Sequence, residues 1–360
     1  MNSFQTSGNS PGSRDRRCHV GLLGFGPLGA VVARRLTGAA PVASLALTHI
    51  FDRRARDKQA RESAPLSELT WLDRVDDLLA SDTDVIVEAL PAGEPSVDYV
   101  RAALLAGKSV VTASRQVMAH HGVALLTLAE RQGRQLRYEA AAGGAMPIVR
   151  ALGDGLAGDR VLKIEAVLNG TTNAVLSRME QDGCTMDEAV AEACARGYAE
   201  SDPNHDLDGK DAAAKLALLA SVAFGLRVRP DAIDTRTTRS ITAADVRTAR
   251  QRGGAVRQVA HASYAAERGA LTAWVAPVFV PESSVLATLT GALNGAVVSC
   301  QHAGEITMTG PGAGGDAVAV AMISDLCAIA RDRAAIVPAP VLVEPREIKG
   351  FSPQTYAEAV

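Results

Sequence analysis

Aromatic side chains are scarce in this chain of 360 residues, of which only 4% are phenylalanine, tryptophan or tyrosine. Proteins that bind single-stranded nucleic acid stack the bases on such rings, so the composition argues against that function. The formal net charge is −3, which gives no reason to expect binding to a phosphate backbone or to an anionic membrane surface. We therefore expect neither nucleic acid nor a membrane as a partner.

Cysteine is also infrequent, and its five occurrences are far apart and include no CxxC pair. An odd, scattered set predicts reduced thiols in a cytoplasmic protein and argues against a disulfide framework or a zinc site. No apolar run approaches the ~20 residues that a membrane-spanning helix requires. The polar start, MNSFQTSGNSPGSRDRR, lacks the hydrophobic core of a signal peptide, and we expect residues 1–17 to form a disordered tail.

Segments typical of strands and of helices alternate in the first part of the chain. Apolar runs such as TDVIVEALP and SVVTAS are interleaved with the helical patterns EPSVDYVRAALLAGK and VALLTLAERQG. This order predicts an α/β fold, a Rossmann-like doubly wound parallel sheet with right-handed crossovers. We assign residues 18–148 to this dinucleotide-binding domain.

The second part has a different pattern. LKIEAVL alternates apolar and polar residues, and GALTAWVAPVFV, AVVSCQ and GEITMTG read as further short strands. They predict an α+β substrate-binding domain over residues 149–309, with an open, largely antiparallel sheet. We expect residues 310–360 to return to the dinucleotide-binding domain.

A glycine-rich turn lies between the first predicted strand and the first predicted helix. GFGPLG, residues 24–29, has the GxGxxG spacing in the strand–turn–helix context that dinucleotide binding requires. Gly24 allows the tight turn, Gly26 lets the backbone approach a pyrophosphate, and Gly29 permits close packing of helix on strand. The helix N-terminus would attract the phosphates. Helix–strand packing alone also produces such turns. The predicted cofactor contacts in this turn are Gly24, Phe25, Gly26, Pro27, Leu28 and Gly29.

The next predicted strand, SLALTHIFD, bears on the choice of cofactor. It ends at Asp52, where an acidic residue binds a ribose 2′-hydroxyl, whereas the following Arg53 suits a 2′-phosphate. NAD and NADP therefore both remain open at this stage. Ligands of such sheets bind beyond the C-terminal ends of the strands, which adds Leu90, Pro91, Ala113, Ser114 and Arg115 to the candidate cofactor site.

The stretch GYAESDPNHDLDGKDAAAKLALLA joins a charged loop to an apolar helix. Asp211 and Lys215 are four residues apart on one helix face, which by itself indicates an exposed ion pair worth about 0.3–0.5 kcal/mol. The helix is apolar almost all round, however, which is typical of a buried element. Burial lowers the pKa of a lysine and suits it to proton transfer. A lysine beside a cofactor could then protonate the alkoxide formed when a hydride reaches an aldehyde.

This stretch resembles the signature of homoserine dehydrogenase, in which Gly-x-x-Glu, Asp-Pro, a further Asp and Asp-(x)3-Lys recur at these spacings. GLLGFGPLG, VIVEALPAGEP, YEAAAGGAMPI, LNGTTN and GPGAGGDA extend the resemblance over nearly the whole chain after the tail. It implies an NAD- or NADP-dependent oxidoreductase that interconverts L-homoserine and L-aspartate 4-semialdehyde. It also implies a homodimer whose interface is formed by the sheet of the second domain.

The resemblance assigns roles residue by residue. Lys215 matches the proton donor and acceptor, and Asp211 matches its catalytic partner. Glu200 matches the residue that holds the substrate ammonium group. Further substrate contacts are Asp206, Tyr198, Thr172 and Arg115, and further cofactor contacts are Gly197 and Gly312. The carbonyl oxygens of Glu139, Ala142, Gly144 and Met146 match those that bind a structural sodium ion.

One departure from the family pattern falls at the expected site. Ser114-Arg115 stands where the family has Asn-Lys, and the forked guanidinium is not equivalent to an ammonium group. Two alternatives therefore accompany the main interpretation: an oxidoreductase for a modified amino-acid semialdehyde or alcohol, and a cofactor-binding protein without turnover. The amino-acid-sensing extension of many relatives has no counterpart before Val360, so we expect no feedback inhibition through such a domain.

Overall fold

A parallel sheet of six strands organises the first half of the chain. The computed structural model describes residues 17–39, 42–91, 94–196, 202–335 and 337–352. The strands of this sheet are β1 (Cys18–Leu23), β2 (Leu45–Phe51), β3 (Thr70–Leu72), β4 (Val85–Glu88), β5 (Ser109–Thr112) and β6 (Leu136–Arg137). They are all parallel and lie in the order β3-β2-β1-β4-β5-β6, which confirms the predicted Rossmann-like sheet.

Helices connect these strands. They are α1 (Pro27–Thr37), α2 (Ala55–Gln59), α3 (Val75–Ala80), α4 (Glu94–Leu105) and α5 (Arg115–Arg131). Proline at the first position of α1 suits a helix start because its fixed φ is helical and its missing N–H would have no partner there. Helix α5 is capped by Ser114, whose Oγ accepts a hydrogen bond from the Val117 N–H.

The second sheet is mixed and mostly antiparallel. Its strands are β7 (Val161–Val167), β8 (Asp234–Thr235), β9 (Gly254–Ala265), β10 (Ala270–Pro281), β11 (Leu293–Cys300), β12 (Gly304–Pro311) and β13 (Glu347–Lys349). The order is β12-β11-β7-β9-β10-β13, with β8 also paired to β10. Only the pairings of β10 with β8 and β13 are parallel, as expected for the predicted α+β domain.

Helix packing on this sheet positions the site. The helices of the second half are α6 (Ile148–Arg150), α7 (Gly170–Asp182), α8 (Met186–Ala195), α9 (Asn204–Leu207), α10 (Lys210–Phe224), α11 (Ala243–Gln251) and α12 (Gly315–Arg331). Helix α10 buries Leu216 and Leu219 against Ile164 of β7 and Ala260 of β9. The last part of the chain is divided: α12 packs on α1, whereas β13 joins the second sheet. The domain limits drawn from the sequence stay a prediction.

Residues 1–16 of the predicted tail lie outside the described residues. Within the described ranges, every helix is too short or too polar to cross a lipid bilayer.

The glycine-rich turn has the geometry that its sequence predicts. Gly24 has a φ of +103°, a conformation that side chains disfavour. A Cβ at Gly29 would lie 2.0 Å from the carbonyl oxygen of Gly24, whereas a Cβ at Gly26 would meet no atom within 4 Å. Gly29 is therefore required by packing, and Gly26 leaves open space in front of α1.

Substitution of these two glycines by alanine should affect stability to different extents. Gly29→Ala should lower the free energy of unfolding by about 1–3 kcal/mol, because the added methyl group overpacks the turn. Gly26→Ala should change it by less than about 0.5 kcal/mol. Urea denaturation of both variants measures the difference, and equal stabilities would contradict this account of the turn.

Candidate active site

A buried ion pair lies at the start of helix α10. Asp211 is 1% exposed and Lys215 is 7% exposed. The Lys215 Nζ lies 3.0 Å from Asp211 Oδ2 and donates a hydrogen bond of 2.7 Å to the carbonyl oxygen of Leu168, at the end of β7. The pair predicted from the i,i+4 spacing is thus held away from water, which rules out the alternative of an exposed surface pair.

Burial and neighbouring charges set the protonation of this pair. Burial lowers the pKa of Lys215, Asp211 raises it, and the positive charge of Arg115 lowers it further, so that the net change is downward. For Asp211, burial acts to raise the pKa, but Lys215 and Arg115 prevail and bring it to about 2. Asp211 is therefore ionised at neutral pH, and the Lys215 ammonium releases its proton more easily than an exposed lysine does.

Asn169 connects two carboxylates of the site. Its Nδ2 donates to Asp206 Oδ1 at 2.7 Å and to Asp211 Oδ2 at 2.8 Å, and its Oδ1 accepts from the Thr172 N–H at 2.7 Å as the cap of α7. Burial raises the pKa of Asp206, although Asn169 opposes that rise. Asn169 is therefore the link between helix α10, which carries Asp211, and helix α9, which carries Asp206.

Arg115 approaches the same group from the first domain. It is the first residue of α5, and its Nε lies 2.5 Å from Asp211 Oδ1 as an ion pair. Asp211 thus has Lys215 on one carboxylate oxygen and Arg115 on the other. The ion pair joins the two domains at the site.

A cavity of about 300 Å³ opens beside this group. It is lined by Leu28, Glu88, Leu90, Ala113, Ser114, Arg115, Gln116, Asp202, His205 and Asp206. The lining combines residues at the ends of β4 and β5 with Asp202 and with His205 and Asp206 of helix α9. The predicted cofactor residues Leu28, Leu90, Ala113 and Arg115 and the predicted substrate residue Asp206 are thereby brought together.

Gly312 lies against the same group from the other side. A Cβ at this position would be 1.9 Å from Cγ of Asn294. The Asn294 Nδ2 donates to the Leu168 carbonyl oxygen at 3.0 Å, the atom that also accepts from Lys215. The structure therefore gives a packing reason for glycine here, a short distance from Lys215.

A second cavity, of about 580 Å³, lies beside the glycine-rich turn. Its lining includes Phe25, Gly26 and Pro27 together with four basic residues, Arg34, Arg54, Lys58 and Arg61. Asp52 Oδ2 accepts from the Phe25 N–H at 3.2 Å and is paired with Lys58, whose Nζ also donates to the Phe25 carbonyl oxygen at 2.7 Å. Arg53 is exposed and is absent from this lining, whereas Arg54 and Lys58 belong to it.

The remaining predicted residues have different positions. Gly197, Tyr198 and Glu200 lie outside the described residues. Thr172 is fully buried beneath Asn169, so its backbone N–H, not an exposed hydroxyl, takes part in the group. Pro91 is exposed and does not line either cavity.

The residues expected to bind sodium, Glu139, Ala142, Gly144 and Met146, lie in one short bend of the chain between β6 and α6. The carbonyl oxygen of Glu139 accepts from the Ala142 N–H at 3.3 Å, and that of Met146 accepts from the Ile148 N–H at 2.8 Å. Gly144 has a φ of +61°, which turns the chain. Oxygen donors of this kind suit a hard cation, and each bonded carbonyl oxygen keeps a second lone pair.

Three polar residues of the site escaped the sequence reasoning. Asn169, Glu88 and Lys58 are not among the site residues that the sequence predicted. For Asn169 the signal was its place before a helix, where asparagine is a preferred cap. Glu88 could have been noticed as the one charged residue in an otherwise apolar strand.

Comparisons with known proteins agree over most of the chain. A family model described as "Homoserine dehydrogenase, NAD binding domain" matches residues 24–139, and one described as "Homoserine dehydrogenase" matches residues 147–327. The homoserine dehydrogenase of Mycobacterium leprae is 39% identical over 331 residues, which are 89% of this chain and 74% of that protein. That of Corynebacterium glutamicum is 35% identical over 340 residues, 91% and 74% of the two chains.

A solved structure supports the same relationship. The crystal structure of a homoserine dehydrogenase from Thiobacillus denitrificans has a TM-score of 0.85 and 29% sequence identity. The match covers 95% of this chain and 85% of that one. The similarity thus extends over both sheets and the site between them.

The position of Asn169 predicts a pH-dependent loss of stability in Asn169→Asp. The new carboxyl group would keep the cap of α7 but face Asp206 and Asp211, so its pKa in the folded state would exceed that in the unfolded state. The resulting penalty, about 1–3 kcal/mol at pH 8, should shrink as the pH falls, because the group then becomes protonated in the folded state. Urea denaturation at pH 8 and pH 5 measures it.

Asn204→Asp is the matched control. Asn204 is exposed and its Oδ1 accepts from Arg239 Nε at 2.8 Å, so an added negative charge is accommodated there. We expect its stability to stay within about 0.5 kcal/mol of the wild type at both pH values. A loss in Asn169→Asp that does not change with pH would contradict the predicted repulsion.

Proposed function

Because this chain belongs to the homoserine dehydrogenase family, we propose that its buried Lys215 carries the proton in the reaction of that family. The enzyme is an NAD(P)-dependent oxidoreductase that interconverts L-homoserine and L-aspartate 4-semialdehyde. The observation that carries the proposal is the buried ion pair of Lys215 and Asp211 beside a cavity lined by both domains. When bound, the nicotinamide accepts or returns the hydride.

The proton and the hydride both leave the substrate in oxidation, and both return to it in reduction. In homoserine oxidation, unprotonated Lys215 accepts the hydroxyl proton as the alcohol carbon loses its hydride. In reduction of the aldehyde, the Lys215 ammonium returns that proton to the oxygen. The pKa of Lys215 is lowered, first of all by burial, which makes its proton easier to release and so supports its role as a proton carrier.

Charged residues around the cavity suit an amino-acid substrate. We assign Asp206, with Glu200 as the resemblance implies, to the substrate ammonium group, and Arg115 to its carboxylate. Arg115 uses Nε for Asp211, and the planar fork of a guanidinium leaves its other nitrogens free for a carboxylate at the cavity. The same fork favours amino acids with an unmodified carboxylate over the modified analogues considered as an alternative.

The cofactor site favours NADP. Gly26 leaves room for a pyrophosphate at the uncapped N-terminus of α1. Beside it, the Asp52 carboxylate is neutralised by Lys58. Arg54, Arg61 and Arg34, the last paired with Glu62, line the same cavity, so that cations outnumber carboxylates there. An acidic residue that is already paired is a poor acceptor for a ribose 2′-hydroxyl, whereas the cluster of cations suits a 2′-phosphate.

Three broader assignments belong to the same proposal. The homodimer would use the sheet of the second domain, whose edge strand β12 is exposed or half-buried along its whole length. A sodium ion would be held by the carbonyl oxygens of Glu139, Ala142, Gly144 and Met146. The scattered cysteines support a cytoplasmic location.

The proposal predicts that Lys215→Met abolishes most activity while the cofactor still binds. Loss of the proton carrier should reduce kcat about a hundredfold or more in both directions. Lys210→Met is the control, because Lys210 is exposed on the same helix and should keep its activity. Turnover is followed by the absorbance of the reduced cofactor, and cofactor binding by fluorescence. Full activity in Lys215→Met would refute the assignment, and an inactive wild-type enzyme with homoserine and either cofactor would refute the reaction.

The cofactor assignment predicts the effect of Lys58→Met. The Kd for NADP should rise about 10–100-fold, the value of a charge-assisted hydrogen bond. The Kd for NAD should stay the same or fall, because Asp52 becomes available to a 2′-hydroxyl. Arg56→Met, in the same short helix but outside the cavity lining, should leave both constants unchanged. Equal effects on NADP and NAD would contradict the role of Lys58.

A further inference from the structure

A buried carboxyl group lies at the end of strand β4, at the base of the smaller cavity. Glu88 is 1% exposed. Its Oε2 accepts from the Thr112 hydroxyl at 2.6 Å, and its Oε1 accepts from the Ser96 hydroxyl at 3.2 Å and from the Leu90 N–H at 3.0 Å. Two hydroxyls and one backbone N–H thus donate to this side chain, and it forms no ion pair with any cationic residue of the described ranges.

The hydrogen bonds continue from Glu88 to helix α5. The Thr112 hydroxyl oxygen, which donates to Glu88, also accepts from the Ser114 N–H at 3.0 Å. The Ser114 Oγ accepts from the Val117 N–H at 3.4 Å and so caps α5. Arg115 is the next residue, and its Nε lies 2.5 Å from Asp211 Oδ1. Glu88 is therefore linked through Thr112 and Ser114 to the point from which Arg115 leaves the backbone.

We propose that Glu88 is a positioning residue for the reaction, which holds the turn between β5 and α5 through Thr112 and so places Arg115 on Asp211. This inference rests on the proposed roles of Arg115 and Lys215. Glu88 itself contacts neither Lys215 nor Asp211, so it acts only through the turn.

The contacts of Glu88 use both oxygens of a carboxyl group as acceptors. Burial of a charged group without a counter-ion is costly, and burial raises the pKa of Glu88 while its hydrogen bonds oppose that rise. A glutamine of the same size would offer one acceptor oxygen in place of two. Its NH₂ group would either face the Leu90 N–H or make the Thr112 hydroxyl accept, although the Thr112 hydroxyl oxygen already accepts from the Ser114 N–H. Position 88 thus binds three donors from segments that line the cavity or support it.

Displacement of Arg115 has a predictable effect on Lys215. Among the described residues, the charged groups that face Lys215 are Asp211 on its own helix, Asp206 from α9 and Arg115 from α5. Arg115 is the only cation of the three and acts to lower the pKa of Lys215. If Arg115 moved away, that pKa would rise. Since homoserine oxidation requires unprotonated Lys215, the ascending limb of the pH profile would move to higher pH.

The test compares variants along the hydrogen-bonded path. Glu88→Gln and Thr112→Val should reduce kcat/KM for homoserine about tenfold. They should also move the ascending limb of its pH profile upward by roughly 0.5–1 pH unit, the expected size for moving one charge by a few ångströms. Thr112→Ser keeps the hydroxyl and should restore the wild-type limb. Ser96→Ala removes a bond to the other oxygen of the same carboxylate, outside the path through Thr112 and Ser114. The Ser96→Ala variant should keep the wild-type position of the ascending limb of the pH profile, even if its Tm is lower.

The outcomes separate the possible failures. If Glu88→Gln and Thr112→Val lower Tm but leave the limb unchanged, Glu88 supports only the fold and the inference is wrong. If Glu88→Gln does not fold, the contrast between Thr112→Val and Thr112→Ser decides alone. The limb measured in Lys215→Met tests the underlying proposal: if it persists there, Lys215 is not the titrating group and the proposed function fails. A limb that depends on Lys215 but not on Glu88 or Thr112 refutes this inference only.

Discussion

The site depends on removing one ion pair from water without leaving either charge unpaired. Lys215 and Asp211 are on an almost entirely apolar helix, where an isolated charge would be too costly to bury. Each charged group has two partners. The Lys215 ammonium group pairs with Asp211 and donates to the Leu168 carbonyl oxygen, and the Asp211 carboxylate pairs with Lys215 and Arg115. Arg115 belongs to α5, Leu168 follows β7, and the pair itself is on α10, so the second contact of Asp211 depends on how the first half of the chain is placed on the second.

The sequence predicted the parts of the fold whose pattern is local. The parallel sheet followed from strands that alternate with helices, and the turn at Gly24 and Gly29 followed from spacing. The pair of Asp211 and Lys215 could be found because both residues are on one helix face. Its burial followed from the apolar residues around it. Each of these inferences needed only neighbours along the chain.

Long-range partners could not be predicted in this way. Strand β9 was not predicted because polar residues interrupt its apolar pattern. One of them, Arg257, is nevertheless buried, since it donates to Glu180 and to the Ala287 carbonyl oxygen. Lys58 was not predicted as a site residue, because its distance of six positions from Asp52 along the chain does not show that the two side chains meet. The contact of Arg115 with Asp211 spans the two domains, and no sequence pattern records it. In each case a polar residue is explained only by a partner that folding brings near.

The carbonyl oxygen of Leu168 has a stereochemical consequence. An ammonium group carries three hydrogens in a tetrahedral arrangement, and on Lys215 two of them point to the Leu168 oxygen and to Asp211 Oδ2. In the proposed reaction, the third direction is the one left for the substrate. When Lys215 loses its proton, the same two acceptors keep the remaining N–H bonds, so the lone pair occupies the third direction. The two acceptors therefore aim the base as well as the acid along a single line.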